Sequence, residues 1–306
     1  VRVVASTDVY GQIAQEIGGD AVDVTSIITS ASQDPHSFEA TAQDQLAVSR
    51  ADLLIENGGG YDSFMDSLID ASDASAPVIT AVEYSHDWPE KDGHSDEDGD
   101  HGHADESAPA EDDHADDSDQ TEDDHAGHDH VEGFNEHVWY DPHTIEHVAE
   151  AIADELSEID PDNSATFEAN AAAFVEQIGG LESSLAEIEA SDAGAGVFAT
   201  EPVPVYLTAA AGLANVTPEA FSEAVEEGQD APPATLLESL GLIESGSVRV
   251  LIANSQTGGA ETTQVIDAAK AKGIPVLEFS ETLPEGQTYI SWMQQNIDAL
   301  SGALAG

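Results

Sequence analysis

"VRVVASTDVYGQIAQEIGGDAVDVTSII", residues 1–28, sets the reading of the whole chain. It opens on a short β-branched run (1–6), passes into apolar residues at helical spacing (9–19), and returns to a β-branched run (22–28). Strand, helix and strand within so few residues read as one parallel crossover, the unit of a sheet with helices on its faces. The unit extends through "ADLLIENG" (51–58) and "APVITAV" (76–82) as strands, with the helical pattern "YDSFMDSLIDA" (61–71) between them. It recurs near the other end, where 195–201, 213–219, 248–254 and 275–281 read as strands and about 204–212, 233–245, 261–272 and 286–304 as helices. Alternation of this kind predicts an α/β fold. Between the two blocks lie a helix capped by Asp141 or Thr144 and ending near Asp160, then the longest helical pattern (162–191). Asn163 or Ser164 is a candidate N-cap for that second helix, and Gly179 and Gly180 weaken its middle. The expected architecture is two lobes, each a mainly parallel sheet flanked by helices, joined by one long linker helix. Residues 1–160 form the first lobe, 161–193 the linker and 194–306 the second lobe.

The 306 residues carry 63 acids against 6 bases, a formal net charge of −57. Residues 90–130 hold 18 of the acids and one base, so the remainder still has 45 acids against 5 bases. The acidity therefore covers the whole surface. Self-repulsion on this scale opposes compaction at low ionic strength, and it fades at molar salt, where the Debye length is about 3 Å. The composition reads as adaptation to high salt, of the kind met in haloarchaea. With no basic footprint, nucleic acid is excluded as a partner, and an anionic membrane surface is equally unfavourable. There is no cysteine, hence no disulfide and no thiolate metal site. No apolar run approaches the length of a transmembrane helix. The chain opens directly on a strand, which suits either a cytoplasmic protein or numbering that starts after a removed export segment.

From about residue 86 to 133 the periodicity stops and Asp, Glu, His, Gly, Ser and Ala dominate, the composition of a disordered or weakly ordered loop. Its end, "DDHAGHDH" (123–130), closes a run that holds eight of the twelve histidines. Imidazole and carboxylate are metal ligands, yet a flexible tract does not by itself hold a coordination geometry.

Four polar residues stand instead where strands end or order resumes. His36 follows the second strand in "DPHSFEA", His137 lies in "NEHVWYDPH", Glu201 ends "GVFATE", and Glu281 ends "VLEFSE". Two come from each half, as a site between lobes requires, and the donor set suits Zn(II), Mn(II) or Fe(II). Taken singly, each has an ordinary reading: a His beside Pro is most often a turn residue, and a Glu at a strand end in so acidic a chain is most often solvated. His143 and His147, one helical turn apart, read as capping or surface residues, and no HExxH zinc-hydrolase motif and no phosphate-binding loop is present.

"DPHSFEATAQDQLAVSRADLLIENGGGYDSFMDSLI" (34–69) resembles the first signature of the metal-specific solute-binding proteins of ABC importers, the zinc and manganese (ZnuA/TroA-like, cluster A-I) family. "HVWYDP", a helix, "FATEPVPVYLTAAAG" and "FSETLPEGQTYISWM" follow in that family's order, so the resemblance spans essentially the whole chain. It implies one metal held between the lobes by His36, His137, Glu201 and Glu281. Zinc-specific members often have His where Glu201 stands, and relatives often have Asp where Glu281 stands, which leaves Mn(II) open beside Zn(II). The resemblance further implies a protein that is not an enzyme: an exported, membrane-anchored, monomeric binding component that carries Zn(II) as its cargo to a permease with its ATPase subunit. It also implies that the histidine run, with His94, His101, His103, His114, His125, His128 and His130, gathers zinc beside the site; the plainer reading is a solvated spacer. The rival functions are Mn(II) or Fe(II) delivery, a surface metal buffer or adhesin, and an exported metallohydrolase, which four protein ligands would leave without an open coordination position.

Overall fold

The computed structural model describes residues 1–72, 75–89, 131 and 133–306. The loop expected over 86–133 therefore falls mostly outside the described residues, as do all seven of the histidines assigned to metal gathering.

The first block forms β1 (Arg2–Thr7), α1 (Asp8–Gly18), β2 (Asp23–Ile28), α2 (Ala42–Val48), β3 (Leu53–Glu56), α3 (Ser63–Ser72) and β4 (Val78–Thr80). Its strands are all parallel, in the order β2-β1-β3-β4. Val3, Val4 and Ala5 are all buried, so β1 is covered on both faces and takes the centre of the sheet. The second block comprises β5 (Gly196–Ala199), α6 (Val205–Ala210), β6 (Ala214–Asn215), α7 (Glu219–Glu226), α8 (Pro233–Ser245), β7 (Val248–Asn254), α9 (Ala260–Lys272), β8 (Val276–Phe279) and α10 (Tyr289–Leu304). Its parallel strands repeat the same winding, β6-β5-β7-β8. In each sheet the chain leaves its first strand to one side and returns on the other. Loops therefore diverge at the strand C-termini and open a crevice there.

Between the blocks run α4 (Pro142–Ile159) and α5 (Ser164–Asp192). Asp141 caps α4 through its carboxylate, which accepts from the His143 amide (3.2 Å) and the Thr144 hydroxyl (2.6 Å). The buried residues of α5 are Phe167, Ala171, Phe174, Ile178, Leu181, Leu185 and Ile188, a four–three spacing that keeps one apolar stripe inward along the helix. The helix passes unbroken through Gly179 and Gly180, with Ile178 and Leu181 buried on either side. It packs against α4, against α1 of the first block, and against α6 and α10 of the second. The last helix and the segment before it reach back to the first helix: Tyr289 N donates to Gln12 Oε1 (2.7 Å) and Leu283 N to Asp8 Oδ1 (3.0 Å).

Three elements, β6, α7 and α2, depart from the pattern read in the sequence. Residues 213–219 are expected as a strand, yet pairing stops after Asn215 because the Thr217 side chain takes over: its hydroxyl accepts from Ala199 N (2.8 Å) and donates to Ala199 O (2.9 Å). Pro218 then opens α7. The helix α2 is short and only Val48 of it is buried, so it shows little apolar period; the Thr41–Asp44 capping box holds it.

Candidate metal centre

Glu201 and Glu281 stand just past the C-terminal ends of β5 and β8, His36 lies in a single turn after β2, and His137 opens the turn Val138–Tyr140. After β2, Asp34 accepts from the His36 amide (3.0 Å) and the Ser37 hydroxyl (2.7 Å), closing a single turn over the buried Pro35. That turn sets the His36 imidazole edge-on to Tyr61, ring centroids 5.1 Å apart. Tyr61 is itself placed by the "NGG" turn after β3. Asp62 accepts from Asn57 N and Gly58 N (2.7 and 2.8 Å), and Gly58 has φ +79 with Thr80 where a Cβ would lie.

His137 is 1 % exposed. Its Nδ1 is 2.8 Å from Asn135 Oδ1, an acceptor, which assigns the proton to Nδ1 and makes Nε2 the nitrogen that could take a metal. Asn135 is anchored across to the second block by donating to Pro202 O (3.1 Å). The ring packs on Trp139 and Tyr61, with centroids at 5.1 and 5.8 Å.

Glu201 and Glu281 are each 3 % exposed. Both lean on Asn254, the last residue of β7, whose amide nitrogen donates to Glu201 Oε2 (2.8 Å) and Glu281 Oε1 (2.5 Å). The other Glu201 oxygen accepts from the Thr257 hydroxyl, and the other Glu281 oxygen from the Tyr61 hydroxyl at 3.2 Å. Gln256 holds the Glu281 backbone by accepting from its amide (2.7 Å). Burial pushes the Glu281 carboxyl up to about 7; the Asn254 bond opposes this, while Glu201 and Asp34 add to it. Glu201 is raised as well, first by burial, against hydrogen bonds from Thr257 and Asn254. Both carboxylates thus sit without a full counter-charge, a condition a divalent cation relieves.

Donor atoms of His36, His137 and Glu281 lie within 4.8 Å of one another, close enough to share one ion. Glu201 stands one hydrogen-bonded residue away, across Asn254, with lone pairs still available on its carboxylate. His143 and His147 lie on the outer face of α4, rings 4.8 Å apart, where His143 groups with Glu146 and Glu182. Sequence reasoning missed Asn254, Tyr61 and Asn135, the residues that orient the donors. It also missed Glu136 (3 % exposed) and Glu226 at the end of α7, which form a second donor group with His36. The signals were present in part: Asn254 closes a strand whose end faces the crevice, and Phe221 and Val225 mark the buried face of α7.

Two similarly wound sheets around a cleft, with imidazoles and carboxylates converging at the strand ends, define a two-lobed α/β binding protein. The chain belongs to the ZnuA family, zinc-uptake complex component A, periplasmic, whose model matches residues 3–303. It is 26% identical over 295 residues to the zinc-binding lipoprotein AdcA of Streptococcus pneumoniae, covering 94% of this chain and 53% of AdcA; the chain thus spans about half the length of that relative. It is 24% identical over 321 residues to the manganese ABC transporter substrate-binding lipoprotein ScaA of Streptococcus gordonii, covering 100% of this chain and 89% of ScaA. Its fold matches that of the laminin-binding adhesin Lmb from Streptococcus agalactiae, in a mutant structure, with a TM-score of 0.70 at 20% identity over 99% of this chain and 98% of the other.

Proposed function

We propose that this chain is the extracytoplasmic, membrane-anchored binding component of an ABC importer, and that it captures a divalent transition metal in the cleft and delivers it to a permease with its ATPase subunit. His36, His137 and Glu281 are the convergent ligands and Glu201 completes the set, two imidazoles and two carboxylates that favour a transition metal over Ca(II) or Mg(II). The chain works as a monomer, with residues 1–160 and 194–306 as lobes and 161–193 as the stiff element between them. The observation that carries the reading is the convergence of His36, His137 and Glu281 donor atoms from both blocks within 4.8 Å. Family membership and the zinc- and manganese-binding relatives support it. Zn(II) is the preferred cargo. The neutral-imidazole geometry set by Asn135 suits it, while the second carboxylate, Glu201, favours Mn(II) as the alternative.

Competitive Zn(II) and Mn(II) titrations in molar KCl test this. The intact chain takes one Zn(II) tightly and Mn(II) far more weakly, and His137→Ala abolishes that site. Comparable Mn(II) affinity moves the cargo to manganese, and a site untouched by His137→Ala contradicts the assignment.

A further inference from the structure

The cleft holds more ligand than one ion uses. Beside the group of His36, His137 and Glu281 lies a second, His36, Glu136 and Glu226, whose donor atoms are again within 4.8 Å of one another. The Glu226 side chain is 13% exposed, and its Oε1 is buried without a hydrogen-bond partner, 3.8 Å from His137 Nδ1. Glu136 is 3 % exposed and follows Asn135, the residue that orients His137. Glu201 and Glu281 supply the two carboxylates that one divalent ion offsets, and the Glu226 carboxyl is a further potential oxygen ligand beside them.

Glu226 also lines both cavities that adjoin the site. A cavity of about 380 Å³ is lined by Asp34, His36, Ser37, Glu226 and Thr257, and so leads from solvent to the His36 side of the site. A second cavity reaches Glu226 and Glu136 from the side of Phe134 and Asn135.

We infer that His36, Glu136 and Glu226 form a second position for the transition-metal ion, a transfer position from which it passes into the four-donor site by pivoting on His36. The inference rests on the reading of the cleft as a metal-binding site. His36 belongs to both groups, so the ion exchanges Glu136 and Glu226 for His137 and Glu281 without ever losing all its protein ligands. An ion handed over in this way avoids a fully stripped intermediate, which lowers the barrier equally for loading and release and leaves the equilibrium affinity unchanged.

The test is stopped-flow exchange of Zn(II) with a chromophoric chelator, in molar KCl, on the full chain and on Glu226→Gln, with affinity measured in parallel by competition. The inference expects Glu226→Gln to slow loading and release together by roughly tenfold while affinity stays within about fivefold. Glu226→Asp, which keeps a carboxyl ligand on a shorter arm, is expected to fall between, and it remains a readout should the Gln variant not fold. Exchange rates within about twofold of the unsubstituted chain overturn the inference, as does an affinity loss of roughly fiftyfold or more, which would make Glu226 a ligand of the tight site itself. Absence of any tight site in the unsubstituted chain overturns the binding reading and this inference together; unchanged exchange with tight binding overturns this one alone.

Discussion

The Tyr61 hydroxyl donates to Glu281 Oε2 at 3.2 Å across 220 residues of sequence, tying a turn of the first sheet to a strand end of the second. Asn254 completes the arrangement by bridging Glu281 and Glu201. The donors are therefore held in place by neutral hydrogen-bond donors, which position carboxylates without supplying the charge that would compete with a metal.

Asn254→Ala removes both of those bonds. Supporting residues of this kind typically contribute about 10–100-fold to metal affinity, so zinc affinity falls by that range while the stoichiometry of the tight site stays at one. Competition titration checks it. An unchanged affinity would show that the carboxylates need no such orientation.

The pH dependence of the metal-free chain runs opposite to ordinary acid denaturation at one buried group. Glu56 is pushed up to about 8, first by burial and then by Asp62 and Asp66, against a hydrogen bond from Thr80, from an ordinary value of 4.5. Between those two values the folded state holds a proton that the unfolded state releases. This contribution to stability is full below about 4.5 and is lost as pH rises through 8. Glu56→Gln melts close to the unsubstituted chain at about pH 5 and above it at about pH 9. Parallel melting curves at both pH values would contradict the assignment.

Gly179 and Gly180 lie in the middle of α5, with nothing within 4 Å of where a Cβ would stand at either position. Alanine is better than glycine in a helix interior by about 1 kcal/mol. The double variant is accordingly more stable by about 1–2 kcal/mol in denaturant unfolding at high salt. A loss of stability would point to a role for local flexibility in that helix.

Salt acts on the whole surface. With a net charge of −57, the chain gains stability as KCl rises from about 0.1 M towards molar concentrations. A melting temperature that does not rise over that range would remove the case for adaptation to high salt.

The parallel sheets and the long helix were legible because their signals are local and repeated. Val3, Val4 and Ala5 form a continuous apolar run, and the α5 stripe keeps its spacing for its full length. The short elements were not. The two-residue β6 ends on a side chain that imitates the ladder, and α2 depends on a capping box more than on apolar period. The four candidate ligands were readable as polar residues where strands end or order resumes, supported by resemblance. Their orienting partners were not, since Tyr61, Asn135 and Asn254 reach the site through tertiary contacts that no spacing encodes. Glu226 belongs to a helix whose first residue was read as the end of a strand, and its approach to His36 is likewise a tertiary event.

The central claim, that one tight site lies in the cleft and not in the histidine run, is tested most directly by competitive zinc titration in molar KCl of the intact chain and a version lacking residues 90–130. The account predicts that one tight Zn(II) site survives the deletion with its affinity intact. Loss of that site along with the run would contradict it and make the run the functional part.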